Sequence, residues 1–165
     1  MRRHIFLFLL ASALLSGCGF KLRQAPGFAF SSIYVLTPDN SAFGSALKRS
    51  VASNDKVQVI TDGKLSDGAQ VVFELLGDQR EKLVLSMSPA GQVLELQLRL
   101  RIKFRLRGAD GKELIPVTEI MQQRGFSYNE SAALGKEAEE NLLYRDIQSD
   151  VVQQVLRRLA AVQTL

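Results

Sequence analysis

The chain has 165 residues, with 21 Lys and Arg against 17 Asp and Glu for a net charge of +4, and it holds one histidine, one cysteine and no tryptophan. His4 and Cys18 are that histidine and that cysteine, so everything after residue 18 lacks both imidazole and thiol. Serine–histidine–acid triads, cysteine–histidine pairs, zinc sites of histidine and cysteine, and an intrachain disulfide are thereby excluded.

The N-terminus is expected to be a targeting signal. Arg2, Arg3 and His4 precede an apolar run, Ile5 to Leu15, too short to span a bilayer and suited to the core of a secretory signal. Leu15-Ser16-Gly17-Cys18 follows. It resembles the lipobox of bacterial lipoproteins, in which cleavage frees the cysteine to carry an S-diacylglycerol and an N-acyl chain. That lipid on Cys18 is expected to anchor the chain, with no other cofactor and no metal. Gly19 stands where an aspartate often retains enterobacterial lipoproteins at the inner membrane, so the outer membrane is expected. Cleavage removes Arg2 and Arg3, leaving 19 basic residues against 17 acidic and a net charge of +2. Residues 1–17 are thus read as signal peptide, 18–31 as lipidated cysteine and tether, and 32–162 as a single α/β domain, long enough for a real core. In the tether, Phe20, Phe28 and Phe30 suit either packing onto the domain edge or contact with lipid or a partner.

Ser32 to Thr37 reads as a short strand that stops at Pro38. Asp39, Asn40 or Ser41 can then cap a helix with Phe43, Leu47 and Val51 on one face. Lys56 to Thr61 alternates and gives a second strand. Glycines 63, 68, 108 and 111 are read as turn residues. Ala69 to Ser86 is a third strand region, in which Val71, Phe73 and Leu75 share a face and Leu83 and Leu85 share a face. The polar Gly77-Asp78-Gln79-Arg80 between them predicts a bulge or bend. Ser88-Pro89-Ala90-Gly91 turns the chain into its most regular stretch. From Leu94 to Leu106 every second residue is apolar, while Arg99, Arg101, Lys103, Arg105 and Arg107 fall on the other face. Fully extended, this strand reaches about 45 Å. A return strand, Ile115 to Tyr128, completes an antiparallel meander, and Pro116 favours an edge position or a strand start for it. Gly125 suggests a further bulge or turn. A long helix from about Ser131 to Val162 carries Leu143, Ile147, Val151, Val155 and Leu159 at four-residue spacing. Two helices on one sheet predict a two-layer sandwich of the α+β type, with the apolar face of residues 94–106 packed against both helices.

The pattern resembles the LptE family of LPS-assembly lipoproteins, partners of the outer-membrane β-barrel LptD. The likeness lies in the lipobox followed by Gly19-Phe20-Lys21-Leu22-Arg23, in the strand–helix–strand of residues 32–61, and in the final helix, from Ala133-Leu134-Gly135-Lys136-Glu137 through Gln154-Val155-Leu156-Arg157-Arg158-Leu159. It implies two helices on a mixed four-stranded sheet, a non-catalytic role as plug and folding aid of the barrel, and binding of lipopolysaccharide. It also implies that Lys136 meets the lipid's phosphates. Family members can carry a cation in the turn before the long strand; here Ser88 to Gly91 has none, and Arg80, Lys82 or the strand's arginines are the substitutes.

The cation ladder has two explanations. Its side chains, about 6.8 Å apart along one side of the strand, can meet several phosphates of an anionic glycolipid. Alternatively it is a solvated or partner-facing sheet surface, its charges relieved by Glu74, Glu81, Glu113 or Glu119 on neighbouring strands. The candidate lipopolysaccharide-binding residues are therefore Lys136, Arg99, Arg101, Lys103, Arg105, Arg80 and Lys82. No nucleic-acid partner is expected. Glu137 and Glu140, three apart beside Tyr128, have the residue types of a glycosidase pair, but an acidic first turn that complements the helix dipole accounts for them better. The alternative function is a stand-alone envelope lipoprotein that presents its basic sheet face to another anionic polymer.

Overall fold

The long alternating segment forms strand β4, Val93–Gly108, and the sheet is assembled around it. A computed structural model describes residues 27–63, 68–129 and 133–164, so the signal, Cys18 and most of the tether lie outside the described residues. In chain order the elements are β1 (Ser32–Leu36), α1 (Ala42–Ala52), β2 (Gln58–Ile60), β3 (Val71–Met87), β4, β5 (Glu113–Ser127) and α2 (Ala133–Ala160). The sheet has five strands in the order β2-β1-β3-β4-β5. β1 runs parallel to both β2 and β3, whereas β3, β4 and β5 form an antiparallel meander. The expected four-stranded sheet is corrected to five, because the three residues of β2 register against Ser32, Ile33 and Tyr34 and extend the sheet beyond β1. The α+β class and the mixed sheet stand as expected.

Leu96, Leu98, Leu100, Ile102, Phe104 and Leu106 of β4 are all buried, as the period of two requires. They form one core with Ile147, Val151, Val155 and Leu159 of α2 and with Phe43, Leu47 and Val51 of α1. Each such side chain contributes about 1.5–3 kcal/mol by leaving water. α2 lies along β4 and β5, while α1 packs beside β2 and α2. The aromatic rings of Phe43, Phe73 and Phe104 continue the core from α1 through β3 to β4. Phe30 is buried in the same core, stacked on a partly buried Phe28 at 5.1 Å, so these two tether phenylalanines are packing residues.

Local chemistry fixes the ends of the elements. Ser41 caps α1, its Oγ accepting from the Gly44 amide at 2.9 Å and donating to Asp78 at 2.9 Å. The β3–β4 and β4–β5 turns each contain a glycine at φ of 81°, Gly91 and Gly111, a conformation that costs other residues a Cβ clash. β5 is the sheet edge, as Pro116 predicts, and its pairing slips beside that residue, between Ile115 and Thr118. Gly125, by contrast, sits in regular register opposite Gln97, so no bulge forms there.

The register of β3 positions everything that follows. Phe73 and Leu75 face the core opposite Leu106 and Phe104, but pairing then slips between Leu75 and Gly77. The extra residue, Leu76, inverts the alternation. Beyond it Asp78, Arg80 and Lys82 lie opposite Ile102, Leu100 and Leu98, on the helix side, and Gln79 and Glu81 lie opposite Arg101 and Arg99 on the open side.

Candidate functional site

The bulge divides the sequence-predicted cations between the two faces of the sheet. Arg99, Arg101, Lys103, Arg105 and Arg107 share the open face of β4, while Arg80 and Lys82 look toward α2. Lys136, in the first turn of α2, belongs with the second group.

On the open face the ladder is largely compensated. Arg99 pairs with Glu81 at 3.3 Å, Arg101 with Glu119 at 3.2 Å, and Arg105 with Glu113 at 3.5 Å. Glu74, only 6% exposed, lies between Arg105, 2.5 Å away, and Arg107. Burial pushes the Glu74 carboxyl up, but the hydrogen bonds and charges of Arg107 and Arg105 together outweigh it and hold the group below the ordinary carboxylate range. These are the four glutamates that the sequence offers as counter-ions. Among the described residues, Lys103 alone of the five cations makes no ion pair.

On the helix side a second group gathers where the N-terminal part of α2 crosses β3 and β5. Lys82 Nζ binds Glu140 at 2.6 Å, and this hydrogen bond raises the lysine's pKa. Lys136 Nζ binds Glu139 at 2.7 Å, lies 5.9 Å from the Phe126 ring centre and has Ser127 Oγ at 3.5 Å. Arg80 reaches Gln148 at 2.9 Å and sits over the Tyr144 ring at 5.1 Å, while the Tyr144 hydroxyl donates to the Glu81 carbonyl at 3.0 Å. Burial pushes the Tyr144 phenol up, so it stays a donor. Arg124 and Asp150, 2.5 Å apart, fasten the helix to β5.

Next to this group the β3–β4 hairpin runs out of cover. From Leu83 to Leu94 the sequence has no charged residue. Leu83, Val84, Leu85, Met87 and Leu94 are all exposed, and Met87 is the most exposed of them at 58%. Val84 pairs with Leu96 on the helix side, while Leu83 pairs with Gln97 on the open side, so the apex is apolar on both faces. A cationic cluster therefore abuts an apolar apex, an arrangement that can hold the phosphates and the hydrocarbon of one amphiphile.

Sequence reasoning missed Glu139, Glu140 and Tyr144 as neighbours of the lysines. The available signal was the spacing Glu140, Tyr144, Gln148 on one edge of α2, matched by Arg80 and Lys82 on alternate residues of β3 once the bulge is counted. The glycosidase alternative does not assemble. Glu140 is held by Lys82, and two clefts of about 560 and 290 Å³ are lined by neither Glu137 nor Glu140.

Solved structures with this architecture place the chain in a class of small α+β lipoproteins. Lipoprotein B from Nitrosomonas europaea superposes with a TM-score of 0.73 at 34% identity, over 87% of this chain and 91% of that one. Rare lipoprotein B from Shewanella oneidensis shares the fold at a TM-score of 0.65 and 20% identity, over 79% of this chain and 95% of that one. The family model for LptE, lipopolysaccharide assembly, matches residues 30–159, and the chain belongs to that family. LPS-assembly lipoprotein LptE of Pectobacterium atrosepticum is 26% identical over 170 residues, spanning 98% of this chain and 88% of the relative. Its counterpart in Yersinia pestis is 27% identical over 167 residues, spanning 98% and 78%. Among the described residues no helix is long and apolar enough to cross a membrane.

Proposed function

We propose that the chain is an outer-membrane lipoprotein, acylated at Cys18, that seats in the LptD β-barrel, supports its assembly and takes lipopolysaccharide at the α2 end of the sheet. The observation that carries this is the uncharged, doubly apolar apex at residues 83–94 beside Lys82 and Lys136. Phosphates of the glycolipid meet the lysines, and its acyl chains meet Leu83, Val84, Leu85, Met87 and Leu94.

The open face has a different task. With four arginines paired to four glutamates it is polar, hydrogen-bonded and close to neutral. Such a surface suits the polar interior of a barrel better than capture of a polyanion, which would have to displace four carboxylates at once. Arg99, Arg101 and Arg105 are accordingly assigned to the sheet and its wall contact, leaving Lys103, which makes no ion pair among the described residues, as the ladder cation offered to a ligand. This also lowers the standing of a stand-alone polyanion binder.

The test is to tag the C-terminus, extract outer membranes in mild detergent and identify what co-purifies. A roughly equimolar barrel with bound lipopolysaccharide is the expected result. A lone lipoprotein, or fractionation with the inner membrane, would overturn the proposal.

A further inference from the structure

The two lysines assigned to the glycolipid are not free. Lys136 donates to Glu139 and is only 19% exposed, its remaining donors turned toward Ser127 and the Phe126 ring. Lys82 is held by Glu140. The two carboxylates are consecutive residues of α2, so their side chains leave the helix about 100° apart. One therefore serves β3 and the other the β5 side. Because β3 and β5 flank β4, the strands beneath the two pairs lie about 10 Å apart. That is a spacing for a headgroup with two separated phosphates rather than for a single anion.

Resting on the reading of this end as the lipopolysaccharide site, we infer that Glu139 and Glu140 are resident counter-ions that the incoming phosphates must displace. Each carboxylate occupies the position around its lysine that a phosphate oxygen needs. Each lysine–carboxylate pair is neutral when empty and attracts stray anions less than a bare lysine, and loading trades one oxyanion for another. Each exchange is shallow, because partly exposed ion pairs are weak. The site therefore loads and unloads without a deep trap, as a transfer protein requires. Glu137, exposed on the same turn, makes no ion pair among the described residues and supplies the control.

The experiment measures capture of purified lipopolysaccharide by the full-length lipidated protein in detergent, across a range of salt concentrations. The isosteric variant Glu139→Gln/Glu140→Gln is expected to bind about three- to tenfold more tightly than wild type, and more steeply with salt, because two lysines are left uncompensated. Glu137→Gln, with a similar change in net charge per residue, should bind as wild type does. Binding by the double variant alone also supports the inference. If wild type and the double variant bind equally, or Glu137→Gln tightens binding as much, the carboxylates are not competitors and the inference falls while the lipopolysaccharide reading survives. If neither protein binds, both are overturned.

Discussion

Glu74 is the residue on which the open face depends. It is a carboxylate nearly out of water, accepting from Arg105 and Arg107, whose side chains are about one-third exposed. Removing its charge leaves two arginines facing each other on alternate positions of one strand. Glu74→Gln should cost about 1–3 kcal/mol, less than a fully buried pair because the arginines keep part of their hydration. The pH dependence has a defined sign. The folded-state pKa of Glu74 lies below its ordinary value of 4.5, so its stabilisation is complete above that value and is lost as pH falls through the lower folded one. Urea midpoints of wild type and Glu74→Gln should therefore differ at pH 7 and converge only as the pH falls below 4.5 and through the lower folded-state value. A gap that stays constant on acidification would show that the carboxylate's charge is not what stabilises the sheet.

At the scale of the element, the bulge in β3 decides which cations meet α2. Leu76 is one residue too many for the ladder, and the residues after it keep their facing only because it is left out of the pairing. Deleting Leu76 should thus leave Arg80 and Lys82 on the helix side and the fold intact, whereas deleting Gln79 should turn both outward and bring Glu81 beneath α2. Carbodiimide coupling of Lys82 to Glu140, read by peptide mapping, tests this. The Leu76 deletion should retain the crosslink and the Gln79 deletion should lose it. Loss in both would mean that the bulge is itself needed. The same element explains how far the sequence could be read. β4 was legible from Leu96 onward, since alternation alone puts Leu98, Leu100 and Ile102 inside and Arg99, Arg101 and Lys103 outside, whereas Leu94, expected on the packed face, lies exposed beyond the cover of the helices. The spacing of Ile147, Val151, Val155 and Leu159 likewise gave the buried face of α2. What stayed hidden was register. A bulge near Gly77 was visible, but its consequence, that Lys82 and Arg80 leave the face of the arginine ladder for the company of Glu140 and Tyr144, depends on counting residues across a pairing that only the tertiary structure supplies. The strand at Gln58–Ile60 was legible in the alternation of Lys56 to Thr61; what stayed hidden was its parallel pairing beyond β1, which makes the sheet five-stranded rather than the four implied by the resemblance.

For the whole molecule the governing feature is polarity from end to end. The described chain begins at the base, where Ser31 bonds Gln70 beside the Gly108 turn, and β4 runs sixteen residues, about 53 Å, from that turn to the apex. The nine residues from Cys18 to residue 26 can add at most about 30 Å. With the proposed anchor at Cys18, an upright molecule holds its apex well away from the membrane leaflet, so the apolar residues there need an occupant other than that leaflet. In the proposed complex that occupant is glycolipid within the barrel. Leu85 and Met87 are more than half exposed and contribute little to the core, so Leu85→Asp/Met87→Asp should shift the stability of the isolated protein by no more than about 0.5 kcal/mol per site. The same change places two carboxylates where acyl chains are to lie and beside lysines that are to meet phosphates. Lipopolysaccharide capture should fall at least tenfold, with the barrel still co-purifying through the open sheet face. Thermal melts and capture on one preparation separate the outcomes. Unchanged capture with an unchanged melt would show that the apex is idle and that the lipid is held elsewhere, with Lys103 on the open face the next residue to substitute.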